Sequence, residues 1–203
     1  MKQPLLEISN MEVCYSGKPV VRDLSLTIEP GEILGIVGES GSGKSTVIRA
    51  AMGLLKNGGA VTKGEIYYKG GSIARAGEKE LRKIRGPEMG MVFQNAGASL
   101  CPVRTIEKQL YETVLEHEKT SRQEIKERAL EIFKNMGFSK GEEILKSYPF
   151  QLSGGMNQRV GIMMAMILKP DLLFADEPTS ALDVTVQAQV VKEMMKMREM
   201  YGT

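Results

Sequence analysis

Between Asp23 and Glu29 the chain alternates: Leu24, Leu26 and Ile28 are apolar, and the residues between them are polar. A period of two is that of a strand with one face on a core, so the chain up to Pro30 reads as strands. Pro30-Gly31 then supplies a turn. Ile33 to Val37 is a short, continuous apolar run, the pattern expected of a strand buried on both faces. A glycine-rich loop follows, and then a helix from Lys44 to about Leu54. Glu65 to Tyr68 and Met89 to Phe93 read as further strands. From about Asn95 to Lys169 the pattern turns helical. Ser121 and Glu124 have capping-box spacing, and Ile125, Ala129, Ile132, Phe133 and Met136 then share one helix face. Gly154-Gly155 opens another apolar stretch, Val160 to Leu168, closed by Lys169-Pro170. A strand returns at Leu172 to Ala175, and a last helix runs from about Val184 to Met200.

Strands, a glycine-rich loop, a helical insertion, a strand and a helix, in that order, predict an α/β core interrupted by a helical subdomain. There is no internal repeat. The net charge of +2, with basic and acidic residues mixed, predicts no nucleic-acid partner. Cys14 and Cys101 lie far apart and read as free thiols. His117 is the single histidine, so no histidine-based metal site is available. The N-terminus lacks the apolar run of a signal peptide, and no window approaches the roughly 20 apolar residues that span a bilayer. A role at a membrane would therefore require docking onto other subunits. The methionines around Met163, Met164, Met166 and Met194 to Met200 are expected to pack the core, because the thioether fills helix interfaces readily.

Gly38-Glu39-Ser40-Gly41-Ser42-Gly43-Lys44-Ser45 matches the phosphate-loop pattern G-x-x-x-x-G-K-[ST] without a gap. The glycines let backbone N–H groups turn inward around phosphate oxygens, and the following helix adds its N-terminal dipole. Lys44 is expected to reach the β- and γ-phosphates, Ser45 to ligate magnesium, and Thr46 to add a phosphate contact. Leu172 to Glu177 is an apolar strand ending in two carboxylates, at the strand end where α/β sheets bind ligands. Asp176 is expected to hold magnesium, and Glu177 to polarise the attacking water as general base. Ser153-Gly154-Gly155 opens a helix and by itself reads as an N-cap by Ser153, with the makings of a second anion site beside it: a hydroxyl, free N–H groups and a dipole.

The string Leu152-Ser153-Gly154-Gly155-Met156-Asn157-Gln158-Arg159 resembles the signature motif of ABC transporters, and the whole chain is similar to their ATP-binding subunits. The resemblance implies an α/β P-loop NTPase core of ABC type with an N-terminal antiparallel β portion and a helical subdomain insertion. It implies a single domain over 1–203, with about 1–94 and 170–203 as core and about 95–169 as the helical subdomain. Two such domains pair head to tail, with ATP between the phosphate loop of one and the signature of the other. Ser153, Gly154, Gly155 and Gln158 would then serve the partner's nucleotide. Tyr15 resembles the aromatic that stacks on adenine. Gln94 resembles the glutamine that senses magnesium and contacts the membrane partner. Ser180-Ala181-Leu182-Asp183 resembles the loop by which each domain reads the other's site, and Asp183 can also cap a helix.

Ser99-Leu100-Cys101-Pro102, Tyr148-Pro149-Phe150-Gln151 and Asp183 to Gln189 are similar to the dipeptide, oligopeptide and nickel importer branch. Cys101 stands where that branch usually has asparagine, and Asn157 where arginine is frequent. The implied partners are a second ATP-binding subunit, identical or homologous, two transmembrane permease subunits and an extracytoplasmic solute-binding protein. The implied location is the cytoplasmic face of the cell membrane, and the implied cofactors are ATP and Mg2+. The family has one further strand, ending in a histidine that contacts the γ-phosphate, and the chain ends at Tyr201-Gly202-Thr203 where that strand would start. The expectation is a C-terminally incomplete chain that binds ATP but hydrolyses it poorly, with Val190, Val191 and Met194 short of packing. The alternative function is a nucleotide-binding module without turnover. The DNA-repair ATPases that share such a signature need a long coiled-coil insertion, which the chain lacks.

Overall fold

The computed structural model describes residues 3–180 and 182–203. Ala181, within the predicted Ser180–Asp183 loop, lies outside the described residues. The chain falls into two compact units that divide between Arg85 and Gly86.

The first unit is a four-stranded antiparallel sheet in the order β2-β1-β3-β4, formed by β1 (Leu6–Tyr15), β2 (Lys18–Ile28), β3 (Gly59–Tyr68) and β4 (Gly71–Ser72), with helix α1 (Lys44–Ala51) against the first three strands. The alternation around Leu24 is a strand, as expected. In β1 the buried positions are Leu6 and Ile8, then Met11 and Val13, so the inward face shifts by one residue. The shift is a bulge at Asn10, whose φ of 47° is left-handed, and the register breaks there against both neighbours. Gly64 faces the bulge from β3 with a φ of 78°, and a Cβ there would lie 2.3 Å from the Ser9 carbonyl oxygen. Only glycine fits that position. Helix α2 (Glu78–Ile84) completes the unit.

One expectation fails here. Ile33 to Val37 is not a strand and is exposed, with Val37 98% accessible. An apolar run becomes a buried strand only where a neighbour completes its hydrogen-bond ladder. The turn at Pro30-Gly31, closed by the Glu32 N–H on the Glu29 carbonyl, leads the chain off the end of β2. Among the described residues no ladder forms on 33–37.

The second unit is mostly helical around a two-stranded parallel ladder of β5 (Met89–Val92) and β6 (Leu172–Ala175). Between them lie α3 (Ala96–Ser99), α4 (Ile106–Leu115), α5 (Arg122–Asn135), α6 (Gly141–Lys146), a 3-10 turn at Pro149–Gln151 and α7 (Gly154–Met166). Helix α8 (Val184–Tyr201) follows β6. The predicted capping box on α5 is present: the Glu124 N–H donates to Ser121 Oγ, and the Ser121 N–H donates to the Glu124 carboxylate. Hydrogen bonds from the Thr120 hydroxyl and from Ser121 hold that carboxyl down to about 2. Ile125, Ala129, Ile132, Phe133 and Met136 are all buried, as their spacing requires. Met163, Met166 and Met197 are at most 1% exposed, in keeping with core packing, whereas Met195 and Met200 are 37% and 44% exposed, contrary to expectation. Val190 is fully buried, contrary to expectation, because α8 packs on α7 and joins the helical core. Val191, on the other side of α8, is 50% exposed.

Candidate nucleotide site

In the first unit the loop from Gly38 to Gly43 enters α1 at Lys44. Gly41 and Gly43 have φ of 80° and 99°, a region that side chains disfavour and glycine accepts. Gly38 lies so close to Ser42 that a Cβ would stand 2.9 Å from Ser42 Oγ. Glu39 and Ser40 form the exposed tip, closed by the Ser42 N–H on the Glu39 carbonyl. Lys44 Nζ donates to the carbonyls of Gly38 and Glu39, both at 2.8 Å, and so lies curled over the loop. Lys44, Ser45 and Thr46 occupy the first turn of α1, the positive end of the helix dipole. Tight glycine turns, a helix N-terminus and a lysine across the loop fit a triphosphate.

Tyr15 ends β1, opposite Lys18 and Gly59. Its ring lies across Gly59, where a Cβ would come within 2.5 Å of the ring. The ring's flat position thus depends on a glycine in the neighbouring strand.

In the second unit, Asp176 extends the ladder past β6 through its N–H to the Val92 carbonyl, and its residue is 6% exposed. Glu177 follows with a φ of 44°, an unfavourable backbone for a non-glycine residue. That turn separates the two adjacent acids: Asp176 is buried and Glu177 is exposed. Gln94, two residues beyond β5, donates from Nε2 to Glu177 Oε2 at 3.0 Å and to Ser180 Oγ at 3.3 Å. The parallel ladder brings these groups together from positions 83 residues apart.

Ser153 caps α7, accepting from the Met156 N–H, and Asp183 caps α8, accepting from the Val186 N–H. The two helix starts meet: a Cβ on Gly155 would lie 3.1 Å from Val186 Cγ1, whereas a Cβ on Gly154 would meet nothing within 4 Å.

Gln158 departs from its predicted place. It is 3% exposed, and both ends of its amide are bound within the subunit. Its Nε2 donates to the Phe93 carbonyl at 3.0 Å, and its Oε1 accepts from the Ala96 N–H at 3.2 Å. A side chain so buried and so bound is not one offered to a partner's nucleotide. The available signal was spacing, since Gln158 lies one helical turn before the buried Ile162.

Other polar residues escaped the sequence reading. Gln109 bonds to Cys101 and to the Arg104 carbonyl, fixing the segment after α3. Glu193 of α8, 3% exposed, pairs with Arg159 of α7. These partners lie on different elements, and no local motif marks them. The segment 93–104 borders a groove of about 470 Å³, lined by Phe93, Cys101, Arg104, Glu112 and His117 among others.

The magnesium donors implied by the resemblance, Ser45, Gln94 and Asp176, are a hydroxyl, an amide and a carboxylate. All are hard oxygen donors of the kind magnesium takes. They fall in both units.

A phosphate loop, a carboxylate-ended strand and a capped Ser-Gly-Gly helix together define an ATP-binding cassette. The sequence model of the ABC transporter family matches residues 21–180, and the chain belongs to that family. It is 42% identical over 204 residues to the oligopeptide transport ATP-binding protein AppD of Bacillus subtilis, covering 98% of this chain and 62% of that protein. It is 41% identical to the dipeptide transport ATP-binding protein DppD of Lactococcus lactis, covering 98% of this chain and 58% of that one. The chain therefore spans about three fifths of the length of these relatives. Among solved structures it resembles the ATP-binding cassette MJ0796 in a dimeric, post-hydrolysis state bound to ADP and Pi. The TM-score is 0.83 at 30% identity, over 97% of this chain and 84% of that one. Among the described residues no helix is long and apolar enough to cross a membrane.

Proposed function

We propose that this chain is the ATP-hydrolysing subunit of an importer for peptides. The observation that carries the chemistry is the Gln94–Glu177 pair at the end of β6, one residue past the buried Asp176. A carboxylate turned out to solvent and bonded to an amide is equipped to hold a water and take its proton. In this reading the phosphates lie on Gly38 to Thr46, with Lys44 leaving its loop carbonyls for the β- and γ-oxygens, and Tyr15 stacks on the base. Ser45, Gln94 and Asp176 would hold Mg2+, which would neutralise charge on the phosphate oxygens. Glu177 accepts a proton from water as the water oxygen bonds to the γ-phosphorus. The bond to the β-phosphate oxygen breaks, and ADP and phosphate leave.

Ser153, Gly154 and Gly155 take the nucleotide held by a second ATP-binding subunit, identical or homologous, with the Asp183 loop beside them. The groove along 93–104 is the proposed docking surface for the permease subunits, at the cytoplasmic face of the membrane, with an extracytoplasmic solute-binding protein supplying the solute. Peptides are favoured over nickel because the relatives described above are peptide-transport subunits. The test is ATP hydrolysis by the full-length protein with its partner subunits. Glu177→Gln is expected to lower turnover about 100-fold or more with ATP binding retained. Unchanged turnover in that variant would remove the assigned base, and ATP binding without turnover in the unaltered protein would favour a non-hydrolysing module.

A further inference from the structure

Gln158 is a buried amide whose two hydrogen bonds reach the residues on either side of Gln94-Asn95. A primary amide offers one donor and one acceptor side. Here the donor meets the Phe93 carbonyl and the acceptor meets the Ala96 N–H, so the amide spans the turn like a staple. The surrounding contact is close. A Cβ on Gly161, the next turn of α7, would lie 2.5 Å from the Ala96 Cβ, and one on Gly97 would lie 3.5 Å from Asn157 Nδ2. Helix α7 is thus seated directly on the segment that carries Gln94. At its far end that segment is held by Gln109. Gln94 in turn reaches Glu177 and Ser180. A continuous polar path therefore runs from α7 through the 93–96 backbone and the Gln94 amide to the carboxylate after β6.

We propose that Gln158 is a positioning residue: it holds Gln94 on Glu177, and it does so from the helix that begins at Ser153. The inference rests on the proposed ATPase reading and extends it. A rigid helix cannot move its first turn without moving a residue one turn further on. A nucleotide gripped at Ser153 to Gly155 is thereby felt at the Gln94–Glu177 pair of the same subunit. Glutamine is required for its paired donor and acceptor. Methionine fills the volume and makes neither bond; glutamate keeps the acceptor for Ala96 and, when ionised, sets a negative oxygen against the Phe93 carbonyl.

The test is a double-mutant cycle in the full-length protein with its partner subunits, using Gln158→Met and Gln94→Ala. Q158M is expected to lower kcat about tenfold while the KM for ATP changes less than about twofold. In the Q94A background the same change is expected to lower kcat less than about twofold, because the group it positions is gone. Equal effects of Q158M in both backgrounds would mean a general structural role and overturn the proposal. A second readout does not depend on turnover. The Gln94 side-chain amide resonance is expected to move in Q158M toward its position in Glu177→Ala, and an unmoved resonance overturns the proposal. An unaltered protein that binds ATP without hydrolysing it removes the ATPase reading, while the resonance still judges the staple. Gln158→Glu serves the same measurements if Q158M does not fold.

Discussion

At Gly59 the ring of Tyr15 lies where a Cβ would be, within 2.5 Å. Gly59→Ala must push the ring out of place, while its own backbone, inside β3, stays in an ordinary region. The expected outcome is a several-fold weaker affinity for ATP with a loss of stability of about 1 kcal/mol or less, measured by nucleotide titration and urea unfolding. The residues of the phosphate loop were readable from sequence because their chemistry is local: eight consecutive positions supply the turn, the charge and the hydroxyl. The role of Gln158 was not, because the groups it binds lie 65 and 62 residues away in the chain. Next to a Ser-Gly-Gly string it reads as part of the same anion site, and only its burial separates it from that string. Glu177 is an intermediate case. Its position after an apolar strand is visible in the sequence, but the left-handed turn that separates it from Asp176 is not.

Among the elements, α7 and α8 are bound by an ion pair whose carboxylate is buried and whose guanidinium is partly buried. Arg159 Nε donates to Glu193 Oε2 at 2.8 Å, and Arg159 also donates to the Met136 carbonyl and lies 3.7 Å over the Phe138 ring. Gln189 donates to the same carboxylate at 2.7 Å. Removing one partner leaves a desolvated charge, so Glu193→Ala is expected to cost about 3 kcal/mol in urea unfolding. Replacing both, as R159M together with E193M, is expected to recover most of that loss, since apolar groups of similar size tolerate the site. Three helix starts were legible from their capping residues. Ser121, Ser153 and Asp183 each begin a helix by accepting an N–H from three residues on. The run Ile33 to Val37 misleads for the converse reason. Its composition suits a buried strand, but a strand exists only with a neighbour, and composition does not supply one.

For the whole molecule the proposed function requires association, and Gly154 offers a clean way to test it. A side chain there meets nothing within 4 Å in its own subunit. It also sits in the first turn of α7, where a negative charge suits the helix dipole. Gly154→Asp is therefore expected to leave unfolding within about 0.5 kcal/mol of the unaltered protein. In the Glu177→Gln background the same change is expected to abolish ATP-driven association seen by sedimentation, because the carboxylate would face the partner's phosphates. The sequence by itself determined the family and the two local glycine-rich motifs, since these need only neighbouring residues of the right type. It also determined the helices with marked caps and one apolar face. Only the tertiary structure decided the inward shift at Asn10, the exposure of Ile33 to Val37, and the pairing of Gln94 with Glu177. The seat of Gln158 was decided in the same way. Each depends on which distant backbone groups a side chain or strand meets, and that is set by packing of the folded chain rather than by the order of its residues.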